Sequence, residues 1–216
     1  IIELLGIIAL FIVATPALNR IVEWNEAMHL PEALHNIEQW MRQQENAATK
    51  ITEQILQVNS FSHFLAVIFG IGILTGIGEE MIFRGVLQRI VQDKNHRAHV
   101  AVWICAFLFS AIHLQFYGFI PRLLLGAFFG YLLVWSKNLW LPIFAPLFNN
   151  STVACISYFT NDKSPDNLIE TIGTSGSPTS WLAGASLIGT VILLYVLYKK
   201  VFVSKSKEFF PMEDKI

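Results

Sequence analysis

From Phe61 to Ile77 the chain carries one ionisable group, His63, and then sets two adjacent carboxylates, Glu79 and Glu80, before apolar residues resume at Met81. A helix through this stretch has about the length of apolar sequence that a bilayer requires, roughly 20 residues. Each ionisable side chain held at such depth costs about 2.5 to 3.5 kcal/mol on insertion scales and has to be accounted for. Glu80 and Arg84 are four apart, stacked on one helix face in the carboxylate-first order that pairs well. Glu79 lies about 100° round the helix from Glu80 and has no such local partner. It therefore faces a polar cavity, a donor on a second helix, or a ligand. The plainer alternative is an ion pair that locks two helices together.

The whole composition agrees with a membrane setting. Of 216 residues 54% are hydrophobic and 14% charged, with 17 Phe, and the mean hydropathy is +0.51. The net charge of −1 carries no nucleic-acid signature, and there is no phosphate loop, zinc-knuckle spacing or low-complexity tract. Cys105 and Cys155 sit inside apolar segments, where they read as small hydrophobes. The chain opens on Ile1 within an apolar run already under way, which predicts further helices upstream.

The predicted fold is all-α: a polytopic membrane helical bundle with six or more spans and a long external amphipathic helix. Residues 1–18 read as the end of a first span, closed by Thr15-Pro16. Residues 19–60 are polar, with apolar residues at 30, 34, 37, 41, 48, 51, 55 and 58, which with Gln44 filling the gap make a seam of alternating fours and threes that begins near Pro31. Charges on this helix (Glu32, Glu38, Arg42, Glu45, Lys50, Glu53) are net acidic. The helix is thus expected to pack on its own bundle or, through residues 30–58, on a partner membrane protein, rather than on anionic lipid.

Residues 61–160 form the expected core membrane domain, with spans from Phe61 to Arg89, Ala98 to Phe116, Phe119 to Trp135 and Leu139 to Phe159. Gly70, Gly72, Gly76 and Gly78, then Gly126 and Gly130, let neighbouring helices approach closely. Residues 161–180, with Pro165, Gly173, Gly176 and Pro178, read as an external loop, 181–204 as a last span and 205–216 as a cytoplasmic tail. Arg84, Arg89, Lys94, Arg97, Lys137, Lys199, Lys200, Lys205, Lys207 and Lys215 fall on one side, ten of the fifteen basic residues. The positive-inside rule makes that side cytoplasmic, in an integral protein expected in the bacterial inner membrane.

Within this frame the polar residues converge. Counted from the turn near residues 94–96, Glu79 is about 15 residues along one helix and His113 about 17 along the next, so the two share a depth. A carboxylate at that level orients an imidazole, holds its tautomer and accepts its proton. The plainer reading of His113 is a hydrogen bond bridging two helices. Asn149 and Asn150 add a third polar group, and an asparagine amide can donate to a developing oxyanion.

Glu-Glu-x-x-x-Arg at 79–84, Phe-x-x-x-His at 109–113, and Asn-Asn at 149–150 after Leu-Trp-x-Pro at 139–142 resemble the CPBP intramembrane proteases, also called the CAAX prenyl protease and bacteriocin-processing or Abi family. The resemblance covers Phe61 to Asn150. It implies a membrane endopeptidase in which Glu79 activates water with the help of His113, Asn150 serves the same catalytic site, and Glu80, Arg84 and Asn149 support it. If a metal is bound, the resemblance makes Glu79 and His113 its ligands and zinc the ion; the residues by themselves fix no cofactor. The family's third motif, His-x-x-x-Asn, would end at Asn150 and place histidine at position 146, where this chain has Pro146. Proline offers no ligand, and it frees the carbonyl four residues back, at Pro142. A catalytic zinc site takes three protein ligands, so one is missing.

Three readings stand at this point. The first is an endopeptidase acting in the bilayer on a membrane-associated peptide or protein. The second is a degenerate relative serving as a scaffold or subunit of a membrane complex. The third is a proton-coupled transporter, although the broken-helix repeats of transporters are not visible in the sequence.

Overall fold

The computed structural model describes residues 1–58, 60–95, 97–160 and 168–199, and among them every regular element is helical. Helix α1 (Ile2–Glu26) is followed by a 3-10 turn at Glu32–Leu34 and by α2 (His35–Leu56). A long composite helix comes next, in which α3 (Phe61–Val67), α4 (Gly76–Glu80) and α5 (Gln88–Asn95) are joined by wider π turns at Ile68–Thr75 and Met81–Leu87. Then come α6 (Ala98–Ile112), a 3-10 turn at Phe116–Gly118, α7 (Phe119–Ser136), α8 (Trp140–Thr160), α9 (Leu168–Thr171) and α10 (Trp181–Val196).

Four of the described helices are long and apolar enough to cross a membrane: Ile2–Glu26, Phe61–Gln92, Phe116–Ser136 and Trp181–Lys199. Helix α6 is apolar but shorter, and the run Asn149-Asn150-Ser151-Thr152 interrupts the apolar character of α8. Large apolar side chains, among them Leu65, Phe69, Leu74, Ile82, Leu187 and Val191, face outward rather than into the bundle. Such a surface suits hydrocarbon and not water.

Helix α1 does not close at Thr15-Pro16; it runs on to Glu26. The reason lies on α10. Past the proline, the Ala17 N–H donates to Ser186 Oγ at 3.1 Å, and the Ser186 hydroxyl donates in turn to Val13 O. A side chain from a distant helix is thus inserted into the i→i−4 ladder at the point that proline weakens. The chain beyond α9 is tied to the same helix, with the Asn19 amide donating to Ile172 O at 3.0 Å and Glu23 accepting from the Ser175 N–H at 2.8 Å. Gly173 has φ +88, and a Cβ there would stand 2.5 Å from Pro16 O, so no other residue fits. The start of the predicted loop (161–167), the end of the last span and the 205–216 tail lie outside the described residues.

Helix α6 ends at Ile112, short of the predicted Phe116. Leu114 takes φ 53 and the chain turns there, through a residue with no glycine-like freedom. The main core gathers Ile7, Phe129, Leu132, Leu141, Ala145 and Leu197, while Val102, Ala106 and Ala127 form the seam of α6 with α7. Among the contacts of helix α2 with this bundle are one near its start and one at its end. Near its start Trp40 packs on Phe116, ring centroids 5.3 Å apart; at its end Ser157 Oγ of α8 donates to Leu56 O at 2.8 Å. In the first turn of α2, Glu38 takes hydrogen bonds from Arg42, His29 and the Leu30 N–H, which hold its carboxyl down to about 2.

Candidate functional site

The composite helix presents three faces, each given over to a different neighbour. Gly72 and Gly76 face α8: a Cβ at Gly72 would stand 2.6 Å from Ser151 Oγ, and one at Gly76 3.4 Å from the Leu147 backbone nitrogen. These two glycines set the close approach, whereas a Cβ at Gly70 or Gly78 would meet open space. Glu80, Arg84 and Gln88 face α7, each fully buried. Arg84 Nη1 donates to Glu80 Oε1 at 2.7 Å and Nη2 to Gly126 O at 2.8 Å. One turn further, Gln88 Nε2 donates to Gly130 O at 3.1 Å. The glycines of α7 let the two backbones come near enough for these side chains to reach main-chain oxygens. A Cβ at Gly130 would stand 2.9 Å from Gln88 Oε1.

The third face carries Glu79. Its Oε1 lies 3.7 Å from His113 Nε2, and both side chains are 26% exposed. His113 caps α6, where the helix leaves carbonyls without amide partners. Its Nδ1 lies 2.7 Å from Phe109 O. A carbonyl only accepts, so Nδ1 bears a proton, and Nε2 is the ring nitrogen turned toward Glu79. At 3.7 Å the two atoms stand outside direct hydrogen-bond distance and within reach of one bridging water. The Phe109 ring packs edge-on to His113 with centroids 5.0 Å apart, and the Arg84 guanidinium sits 4.8 Å over the same ring. Phe109 therefore joins the buried ion pair to the imidazole, through its ring on one side and its carbonyl on the other.

Two π turns bracket the single α turn bearing Glu79 and Glu80. Such wide turns are frequent at functional sites. The first of them also accepts an asparagine of α8. Asn150 Nδ2 donates to Ile71 O at 3.3 Å, inside the first π turn, and Asn149 Nδ2 approaches Asn150 Oδ1 at 3.5 Å. Ile71 precedes Glu79 by eight residues along the composite helix. Asn150 makes no hydrogen bond to Glu79 or His113. Pro146 lies inside α8, which continues past it.

Other polar residues near the site carried no signal in the sequence. Arg122, in the first turn of α7, donates to Gln115 Oε1 at 2.7 Å and to Gln115 O at 3.3 Å, and the charges of Glu45 and Glu79 both reach it. Asn25, buried at the end of α1, donates to Phe116 O at 3.2 Å and accepts from the Ile120 N–H at 2.8 Å. Only Gln88 was within reach of pattern reading, as the third member of an 80, 84, 88 series on one face.

Among the described residues no three His, Cys, Asp or Glu side chains come together as a metal-binding group. With Glu79 and His113 as the two donors and proline at 146, the donor set does not fit a catalytic zinc site. An apolar groove of about 300 Å³ runs between α1, α7 and α10, past Phe11, Phe128 and Trp135. Neither Glu79 nor His113 lines it.

Residues 61–152 match a family described as type II CAAX prenyl endopeptidase, Rce1-like. The chain is also similar to an uncharacterized protein of Bacillus subtilis (strain 168), YpbD, at 28% identity over 109 residues, covering 49% of this chain and 51% of that protein. The chain thus spans about half the length of the curated relative it matches. No solved structure matches.

Proposed function

We propose, from the match of residues 61–152 to the Rce1-like, type II CAAX prenyl endopeptidase family, that this integral membrane protein is an intramembrane endopeptidase whose Glu79 and His113 activate water against a peptide bond. The observation that carries the reading is the facing of Glu79 Oε1 and His113 Nε2 at 3.7 Å, with the far imidazole nitrogen already committed to Phe109 O. In this reading a water held between the two acceptors adds its oxygen to the carbonyl carbon while Glu79 takes its proton. The proton then passes to the amide nitrogen as the C–N bond breaks, and the water's second proton leaves the new carboxyl group for the amine, giving a carboxylate and a protonated amine. His113 keeps the water aimed and balances charge as it moves. Glu80 and Arg84 hold the helix that carries Glu79 in place. No step runs through a metal. The substrate class is a membrane-associated peptide or protein, reached within the bilayer, with the lysine-rich ends of the spans toward the cytoplasm.

A second reading is favoured by two observations: Pro146 stands within α8, and the Asn150 amide is spent on Ile71 O. In that reading the fold is kept as a scaffold, with α2 offering Ile37, Trp40 and Ile51, all exposed, to another membrane protein. Pro146→His separates the two. If the chain is a protease short of one donor, the substitution raises cleavage of a membrane-anchored peptide in lipid nanodiscs by about 10²-fold, the usual worth of one such donor. A scaffold gains no cleavage from it, and its wild type copurifies in fixed ratio with a partner through α2.

A further inference from the structure

Helix α2 lies far from the family's motifs in sequence, yet one of its side chains reaches the turn that follows His113. Glu45 Oε2 accepts from the Tyr117 N–H at 3.0 Å, and its Oε1 lies 3.5 Å from Gln115 Nε2. The Arg42 guanidinium covers the Tyr117 ring at 4.4 Å. From the other side Asn25 holds Phe116 O and the Ile120 N–H. These contacts close on a segment under local strain, since Leu114, next to His113, takes φ 53. A non-glycine residue persists there only when its surroundings over-determine it. The catalytic face of the imidazole depends on the last turn of α6 staying wound, because Nδ1 is bonded to Phe109 O one turn back. If residues 115–117 are released, Leu114 relaxes, the turn frays and Nε2 leaves its place opposite Glu79.

The geometry points to Glu45 as a positioning residue for the proposed hydrolysis: from α2 it fixes the 114–117 turn and through it the His113 ring. This rests on the reading of Glu79 and His113 given above. What Glu45 contributes is reach, an oxygen set at the Tyr117 N–H, more than charge. Two conservative variants separate these. Glu45→Gln keeps an acceptor at the same length without the charge, and Glu45→Asp keeps the charge one methylene short.

The experiment uses the full chain in lipid nanodiscs, with a membrane-anchored peptide as substrate and nitrogen-15 NMR of His113 at one fixed pH. Glu45→Asp is expected to lower kcat by about 10²-fold with KM nearly unchanged, the scale of an angstrom of misplacement, and to remove the signature of a hydrogen-bonded Nδ1–H. Glu45→Gln is expected to retain most of kcat and that signature. Glu45→Ala should follow Glu45→Asp; if it does not fold, the Asp and Gln pair still decides. Wild-type kcat in Glu45→Asp, or a larger loss in Glu45→Gln than in Glu45→Asp, overturns the inference. If the wild type cleaves no peptide, the hydrolytic reading falls, while the NMR arm still decides whether Glu45 holds the ring: an unchanged His113 signal in Glu45→Asp overturns that too.

Discussion

Arg84→Ala is expected to lower the unfolding free energy by about 3 to 5 kcal/mol, the cost of removing one partner from a buried ion pair. Glu80 and Arg84 are both fully buried and 2.7 Å apart, so bulk solvent does not reach the carboxylate that would lose the guanidinium. The substitution also releases Gly126 O and leaves a space among Phe83, Phe109 and Phe129, the three rings that surround the guanidinium. Glu80→Gln should cost less than Arg84→Ala, since an amide oxygen can still accept from Nη1, but clearly more than Glu79→Gln. Glu79 is 26% exposed and pairs only at 3.7 Å, so its replacement should stay within about 0.5 kcal/mol of wild type. Unfolding in detergent, followed by loss of helicity, measures all three. Equal losses for Glu79→Gln and Glu80→Gln would contradict the division between a supporting pair and a working carboxylate.

The second large effect is on rate. Glu79→Gln and His113→Gln are each expected to slow peptide cleavage by about 10²- to 10⁴-fold, the range for a positioned acid or base. If they hold one water between them, the double variant should be little slower than the slower single one, as for groups that act as a unit. Effects that multiply would mean that the two side chains serve separate steps. An unchanged rate in Glu79→Gln would remove the carboxylate from the mechanism.

The parts of this fold that were legible in the sequence are those governed by a severe constraint. Hydrocarbon demands long apolar runs and a reason for every buried charge, so the helix bearing Glu79, Glu80 and Arg84 declares itself, and the four-residue spacing predicts the Glu80 and Arg84 pair. The features that were not legible depend on distant partners or on backbone winding. The passage of α1 through Pro16 depends on Ser186, a hydroxyl on the last described helix. Leu114 gives no glycine or asparagine to mark the end of α6. The π turns change the phase of the composite helix and set Ile71 O before Asn150, a shift that counting residues from a turn at a uniform rise cannot register. Glu45 was visible as one acid on a polar helix; its engagement with Tyr117 required the fold.

The most direct test of the central claim is product analysis in oxygen-18 water. Wild-type protein in lipid nanodiscs is incubated with a membrane-anchored peptide, and the fragments are weighed by mass spectrometry. Hydrolysis by a water held between Glu79 and His113 predicts one new carboxyl terminus carrying a single oxygen-18 and a matching free amine, both absent when folded Glu79→Gln protein is used. The same products from folded Glu79→Gln at the wild-type rate, or none from a folded wild type across a panel of anchored peptides, would contradict the account.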